Sequence, residues 1–172
     1  MKFELNHDWQ GNMSSPRSTL GKKTKIHLFL LLAIIWIFTG LVGNSPWIPA
    51  ESENVSMVMD IVSNNSIIAP LAASQDSINN PPLYPFIGAT FVKIFSSILA
   101  PHDAIRLSNF VWISLTLVSI GLMTRELWGP GFGRQAGLIF IASIGLIFNV
   151  HSIRPEVAAL LGFALALYGF AL

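Results

Sequence analysis

Two groups of ionisable residues stand where they could do chemistry. Glu51 and Glu53 follow shortly after a long apolar run that ends near Gly43, which keeps both carboxylates close to the surface where that run emerges. His151, Arg154 and Glu156 occupy a short break between two further apolar stretches. A hairpin turn needs neither a cation nor an anion, and ionisable groups at membrane depth are expensive and usually functional. Arg154-Pro155-Glu156 therefore reads as a site, the rival reading being a snorkelling structural ion pair. A carboxylate can take a proton from a hydroxyl, and a guanidinium can hold two oxygens of an anion at once.

The background makes these groups informative. Of 172 residues 52% are hydrophobic and only 11% charged, against about 25% charged in a soluble domain. With mean hydropathy +0.60, the chain reads as membrane-embedded. A net charge of +1 supplies no field for nucleic acid. The absence of cysteine excludes disulfide scaffolds, thiolate zinc sites, Fe–S clusters and thiol nucleophiles. Gly131-Phe132-Gly133-Arg134-Gln135-Ala136 matches a dinucleotide-binding pattern only superficially, because an apolar span precedes it and no βαβ unit surrounds it. These glycines make a tight turn instead. Asn54-Val55-Ser56 and Asn64-Asn65-Ser66 are glycosylation sequons of low specificity.

The elements that must position these residues are helices. The fold class expected is all-α, a polytopic transmembrane helix bundle of about four spans, with a first external loop carrying interfacial helices. Residues 1–25 read as a disordered cytoplasmic tail and 26–172 as one membrane domain. The first span runs from Ile26 to about Gly43, and Lys22, Lys23 and Lys25 before it hold the N-terminus in the cytoplasm. A cleaved signal peptide is the rival, but Ile48-Pro49-Ala50 fits the small-x-small cleavage pattern poorly. In the loop that follows, Val55, Val58, Met59 and Val62 mark an amphipathic helix closed by Asn64-Asn65-Ser66. Segment 86–100 either spans or lies in the interface; Lys93 on its polar face favours the interface, whereas basic-residue counting fits both arrangements. Further spans are expected from about Leu107 to Met123, Ala136 to Val150, and Val157 onward. On the last, Ala158, Gly162 and Ala166 form a small-residue stripe suited to close helix packing. The chain ends inside the apolar run Tyr168-Gly169-Phe170-Ala171-Leu172, and the sequence reads as the front part of a longer protein.

Four motifs in order carry a resemblance: an acid after the first span, Asn80-Pro81-Pro82-Leu83-Tyr84-Pro85, Ala104-Ile105-Arg106-Leu107, and Ile153-Arg154-Pro155-Glu156-Val157. Between the last two lies Thr124-Arg125-Glu126-Leu127-Trp128-Gly129. The set resembles the N-terminal part of the GT-C membrane glycosyltransferases, over residues 26–172. The nearest types are the protein mannosyltransferases, the lipid A aminoarabinose transferases, and related envelope sugar transferases. The resemblance implies an integral enzyme of the bacterial cytoplasmic membrane with its site on the periplasmic side. It would transfer a sugar from a polyprenyl-phosphate donor to a lipid, glycan or protein acceptor.

It also implies roles. Glu51 would be the general base with Glu53 as the fallback; relatives carry an Asp-Glu pair where this chain has Glu51-Ser52-Glu53. Arg154, Glu156 and His151 would meet the donor phosphate and substrate, Glu156 standing where relatives often have Asp. Asn80 replaces a Lys or His of many relatives, so it donates hydrogen bonds without charge. Lys93 would add a point charge and Tyr84 would line the sugar pocket. A divalent metal is compatible with the outer carboxylates, but no ligand spacing identifies one. A different class, a non-enzymatic membrane scaffold or transporter fragment, would use the same helices for packing alone.

Overall fold

Proline and glycine punctuate the chain in a way that sets its helix ends. In the computed structural model, which describes residues 21–43, 45–46, 49–64 and 82–172, all regular structure is helical. The helices are α1 (Lys22–Phe38), α2 (Pro49–Asn64), α3 (Leu83–Phe95), α4 (Pro101–Trp128), α5 (Phe132–Ala142), α6 (Ile144–Asn149) and α7 (Glu156–Ala171). Pro49 and Pro101 open α2 and α4, and Pro82 and Pro155 stand just before α3 and α7. A proline there has its φ preset for a helix, and the N–H it lacks would have been unpaired anyway. Gly129, at φ 91°, ends α4, and Gly131, at φ 109°, leads into α5. The turn between them uses a backbone region closed to most side chains.

α4 is the mast of the fold. It is 28 residues long, and among the described residues it is the one helix long and apolar enough to cross a membrane. α3 folds back along its first turns as an antiparallel hairpin: Tyr84 sits beside Asn109, and Gly88 meets Ile105. α2 joins at the same level, with Val58 against Gly88. A Cβ on Gly88 would lie 3.4 Å from both Ile105 and Val58, so this glycine lets three helices meet. α5 returns antiparallel to α4 through a closer contact, since a Cβ on Gly133 would fall 2.6 Å from the Gly121 carbonyl oxygen. α1 seats Phe29 on Gly137 of α5. α7 descends beside α4 through Val157, Leu161 and Ala164. The core continues from Ile37 and Leu41 through Val58, Ile61, Tyr84, Ile105, Trp112 and Ile113 to Val150 and Ile153.

Several expected boundaries move. The helix expected from Leu107 begins at Pro101, because the polar residues before Leu107 are buried against α2 and the segment preceding α7 instead of forming a wet loop. The stretch expected from Ala136 to Val150 breaks at Ser143, whose extended backbone ends α5 and starts α6. Segment 86–100 is helical only to Phe95, as part of the 13-residue α3 (Leu83–Phe95), about 20 Å long and too short for a ~30 Å hydrocarbon core. Lys22, Lys23 and Lys25 lie in the first turn of α1, not ahead of it; residues 1–20 of the expected tail lie outside the described residues. The stripe on α7 is not the internal packing face. Gly162 and Ala166 are exposed, and nothing stands within 4 Å of a Cβ on Gly162.

Candidate functional site

Asp103, Arg106 and Asn109 recur every three residues on α4, which places them on one side of the helix. All three are buried. Arg106 donates from Nη2 to Glu51 Oε2 at 3.2 Å, and its Nη1 lies 3.9 Å from Asp103 Oδ1. That same Asp103 oxygen accepts the Gly43 N–H at 3.2 Å and lies 3.6 Å from His102 Nε2. Glu51, 2% exposed, uses its other oxygen to accept the Ile153 N–H at 3.0 Å. One carboxylate thus ties α2 to α4 and to the segment entering α7. Two buried charges lose hydration, and only good geometry and further hydrogen bonds offset that loss. Here each carboxylate has a backbone N–H as well as the guanidinium.

The segment 150–153 is held by side chains from α2 and α4 and by its own His151 on the backbone of α1. Asn109 Nδ2 donates to the carbonyls of Val150, at 3.0 Å, and Ser152, at 2.9 Å. Asn54 Nδ2 donates to the carbonyl of Ile153 at 2.9 Å. His151 Nε2 meets the Trp36 carbonyl at 3.1 Å, with its ring edge-on to the Trp36 indole. A carbonyl only accepts, so this nitrogen carries the proton. The backbone groups of a non-helical segment have no ladder and must be satisfied from outside, and these contacts do so. The result presents Arg154 and Glu156 at the start of α7 in a set position.

Tyr84 lies beneath this segment. Its hydroxyl donates to Asn109 Oδ1 at 3.0 Å, and its ring stacks on Trp112 with centroids 6.4 Å apart. Burial pushes the Tyr84 phenol well above its ordinary value; the nearby Arg154 main chain opposes this, and the charges of Glu51 and Glu156 add to it. Arg154 is half-buried, and its Nε is shielded with no hydrogen-bond partner among the described residues. A shielded guanidinium donor without an acceptor is unfavourable, so this group is suited to receive an oxygen anion.

The structure therefore brings Glu51, Tyr84, His151, Arg154 and Glu156 to one end of the bundle, but it gives them different surroundings. Glu156 is exposed and Arg154 half-exposed. Glu51 and Tyr84 are buried, so Tyr84 does not line an open pocket; its hydroxyl is committed to Asn109. Glu53 lies exposed on another face of α2. Lys93 is exposed near the far end of α3, away from the cluster by nine residues, about 13 Å along the helix. Asn80 lies outside the described residues. No group of three or more His, Asp or Glu side chains among the described residues could hold a metal ion.

Asp103, Asn109 and Asn54 are the structural members that sequence reasoning missed, and Arg106 entered only as part of a motif. The three-residue polar spacing inside an otherwise apolar helix was the available signal for the α4 residues. Asn54 had none, since it read as a sequon. Its amide is instead occupied by Ile153. Comparison with protein-family models, curated proteins and solved structures gives no significant match to this chain, so its function is argued from the site's own chemistry.

Proposed function

We propose that this chain acts in a membrane glycosyltransferase of the GT-C type. The enzyme would take a sugar from a polyprenyl-phosphate donor and pass it to a lipid, glycan or protein acceptor on the outer side. The observation that carries the reading is the pairing of a fixed acid with an unsatisfied cation at one end of the bundle. Glu51 is oriented by Arg106 and the Ile153 N–H, while the shielded Arg154 Nε lacks an acceptor among the described residues.

The chemistry suits those residues. Sugar transfer passes through an oxocarbenium-like transition state, and the incoming hydroxyl must lose a proton. Glu51 is the base in this scheme: each oxygen accepts one hydrogen bond and retains a lone pair, and because the carboxylate is buried the acceptor hydroxyl has to enter beside Arg154 to reach it. The departing phosphate is already an anion and needs donors, not an acid. Arg154 supplies them, and Glu156 beside it meets sugar hydroxyls. Arg106 positions Glu51, and Asn109 and Asn54 position Arg154. Glu53, Lys93 and His151 take outer roles, His151 by fixing the approach of α1.

Membrane insertion has its own support. Leu31, Ile34, Ile35, Leu115, Val118, Ile139, Phe163, Leu167 and Phe170 are exposed along α1, α4, α5 and α7, an apolar surface larger than water tolerates without a partner. α5 and α6 together read as one broken span. α3, with exposed Phe86 and Ile94 beside Lys93, lies in the interface. The basic start of α1 and the α4–α5 turn face the cytoplasm, which puts the Glu51 cluster on the outer side.

In the full-length protein, Glu51→Gln and Arg154→Ala each lower transfer from a polyprenyl-phosphate sugar by at least about a hundredfold, as measured by release of labelled sugar onto acceptor. Unchanged turnover in both variants removes the site assignment.

A further inference from the structure

Positive charge gathers at the end of the bundle opposite the Glu51 cluster. Arg125 lies in the last turn of α4, and Arg134 stands in the first turn of α5, across the turn formed by Gly129 and Gly131. α1 brings its own basic turn to this end. Phe29 packs against Gly137 so closely that a Cβ there would lie 2.7 Å from the Phe29 ring. Lys25 precedes Phe29 by four residues and Arg134 precedes Gly137 by three, so both sit one turn below that contact on the facing sides of their helices. Glu126 is the acid at this end; the other described acids, Glu51, Glu53, Asp60, Asp103 and Glu156, belong to α2 or to the first turns of α4 and α7.

Arg134 is half-buried, and its Nη1 is closed off from solvent without a hydrogen-bond partner among the described residues. Trp128 at the end of α4 and Phe132 at the start of α5, both well exposed, flank the turn that leads to Arg134. Exposed aromatic rings beside cations mark headgroup depth in a bilayer. A guanidinium with one donor left over suits a planar pair of oxygens.

We propose that Arg134, supported by Arg125 and Lys25, binds the phosphate of an anionic phospholipid headgroup. The ligand is a lipid and not free phosphate because Trp128 and Phe132 offer apolar surface next to the cation, where the glycerol and upper acyl chain rest. The inference depends on the membrane part of the reading above and is independent of sugar transfer.

The test uses the full chain in detergent, offered phosphatidylglycerol, phosphatidylcholine or inorganic phosphate, with retained adducts read by native mass spectrometry. Wild type retains phosphatidylglycerol over phosphatidylcholine. Arg134→Gln lowers retained phosphatidylglycerol by about fivefold, the weight of one cation near an anionic surface. Arg134→Lys falls between, keeping the charge without the fork, and the exposed Arg125→Gln lowers retention less. Thermal unfolding in the same detergent reports whether each variant is folded. Equal retention of the two lipids by wild type, or wild-type retention by folded Arg134→Gln, overturns the site. Retention of inorganic phosphate without lipid preference overturns the lipid assignment. Unchanged sugar transfer in both Glu51→Gln and Arg154→Ala, with lipid preference intact, counts against the earlier reading alone.

Discussion

Arg106 illustrates how much a single buried charge demands. Its guanidinium lies between Glu51 and Asp103, and both carboxylates also accept a backbone N–H, from Ile153 and Gly43. Removing one member of such a group leaves an uncompensated buried charge, worth about 3–5 kcal/mol. Glu51→Gln also removes the carboxylate charge, but it keeps the shape and one acceptor, so it disturbs the packing less than Glu51→Ala. Tyr84 offers a cleaner measurement. Its phenol is pushed up by burial, so the protonated donor is favoured in the fold beyond the ordinary tyrosine value of about 10. The sign follows: the stabilisation is complete below that value and is lost as pH rises through the higher folded one. In an ultraviolet titration of the folded chain, the Tyr84 phenolate signal emerges only above the ordinary range, and Tyr84→Phe deletes that late step. A Tyr84 phenolate appearing near pH 10 in folded protein would contradict the buried geometry.

Between elements, the contacts that set the site are glycine contacts on one side and side-chain clamps on the other. Gly133 against Gly121 fixes how closely α5 lies on α4. The clash there is with backbone, which cannot rotate away, so Gly133→Ala separates the two helices and destabilises the fold by about 1–3 kcal/mol. A lowered unfolding temperature in detergent reads this directly; an unchanged one would mean that α5 shifts freely on α4. At the other end Asn109 and Asn54 hold segment 150–153, whose position decides where Arg154 stands. Only part of this was legible beforehand. The turn between Gly129 and Gly131 follows from local backbone geometry. The role of Asn54 does not, since its partner Ile153 is distant in sequence and only packing brings the two together.

At the scale of the whole molecule, charge is sorted along the bundle: Lys23, Lys25, Arg125 and Arg134 at one end, and Glu51, Asp103, Arg106, Arg154 and Glu156 towards the other. The two ends are separated along α4 by the stretch from Asn109 to Trp128, about 28 Å, close to a hydrocarbon thickness. The chain contains no cysteine, so single cysteines report topology without background. In sealed right-side-out vesicles an impermeant maleimide labels Ser52→Cys at once and labels Gln135→Cys only after permeabilisation; both positions are exposed. Equal labelling of the two would remove the proposed orientation.

Composition alone determined that this chain is apolar and short of charge, because those properties sum over residues regardless of their partners. Local sequence also determined the glycine turn, whereas the helices expected from Ile26, Leu107 and Ala136 begin earlier, at Lys22, Pro101 and Phe132. It could not determine that α4 reaches back to Pro101, because Asp103 and Arg106 look like loop residues until Glu51 and the backbone of Gly43 and Ile153 are seen to satisfy them. Nor could it separate Glu51, buried and doubly bonded, from Glu53, exposed two residues on. Burial and pairing are properties of groups far apart in the chain. Only the tertiary structure decides which scarce charges are enclosed, which face outward, and which, like Arg134 and Arg154, enclose a donor without an acceptor among the described residues.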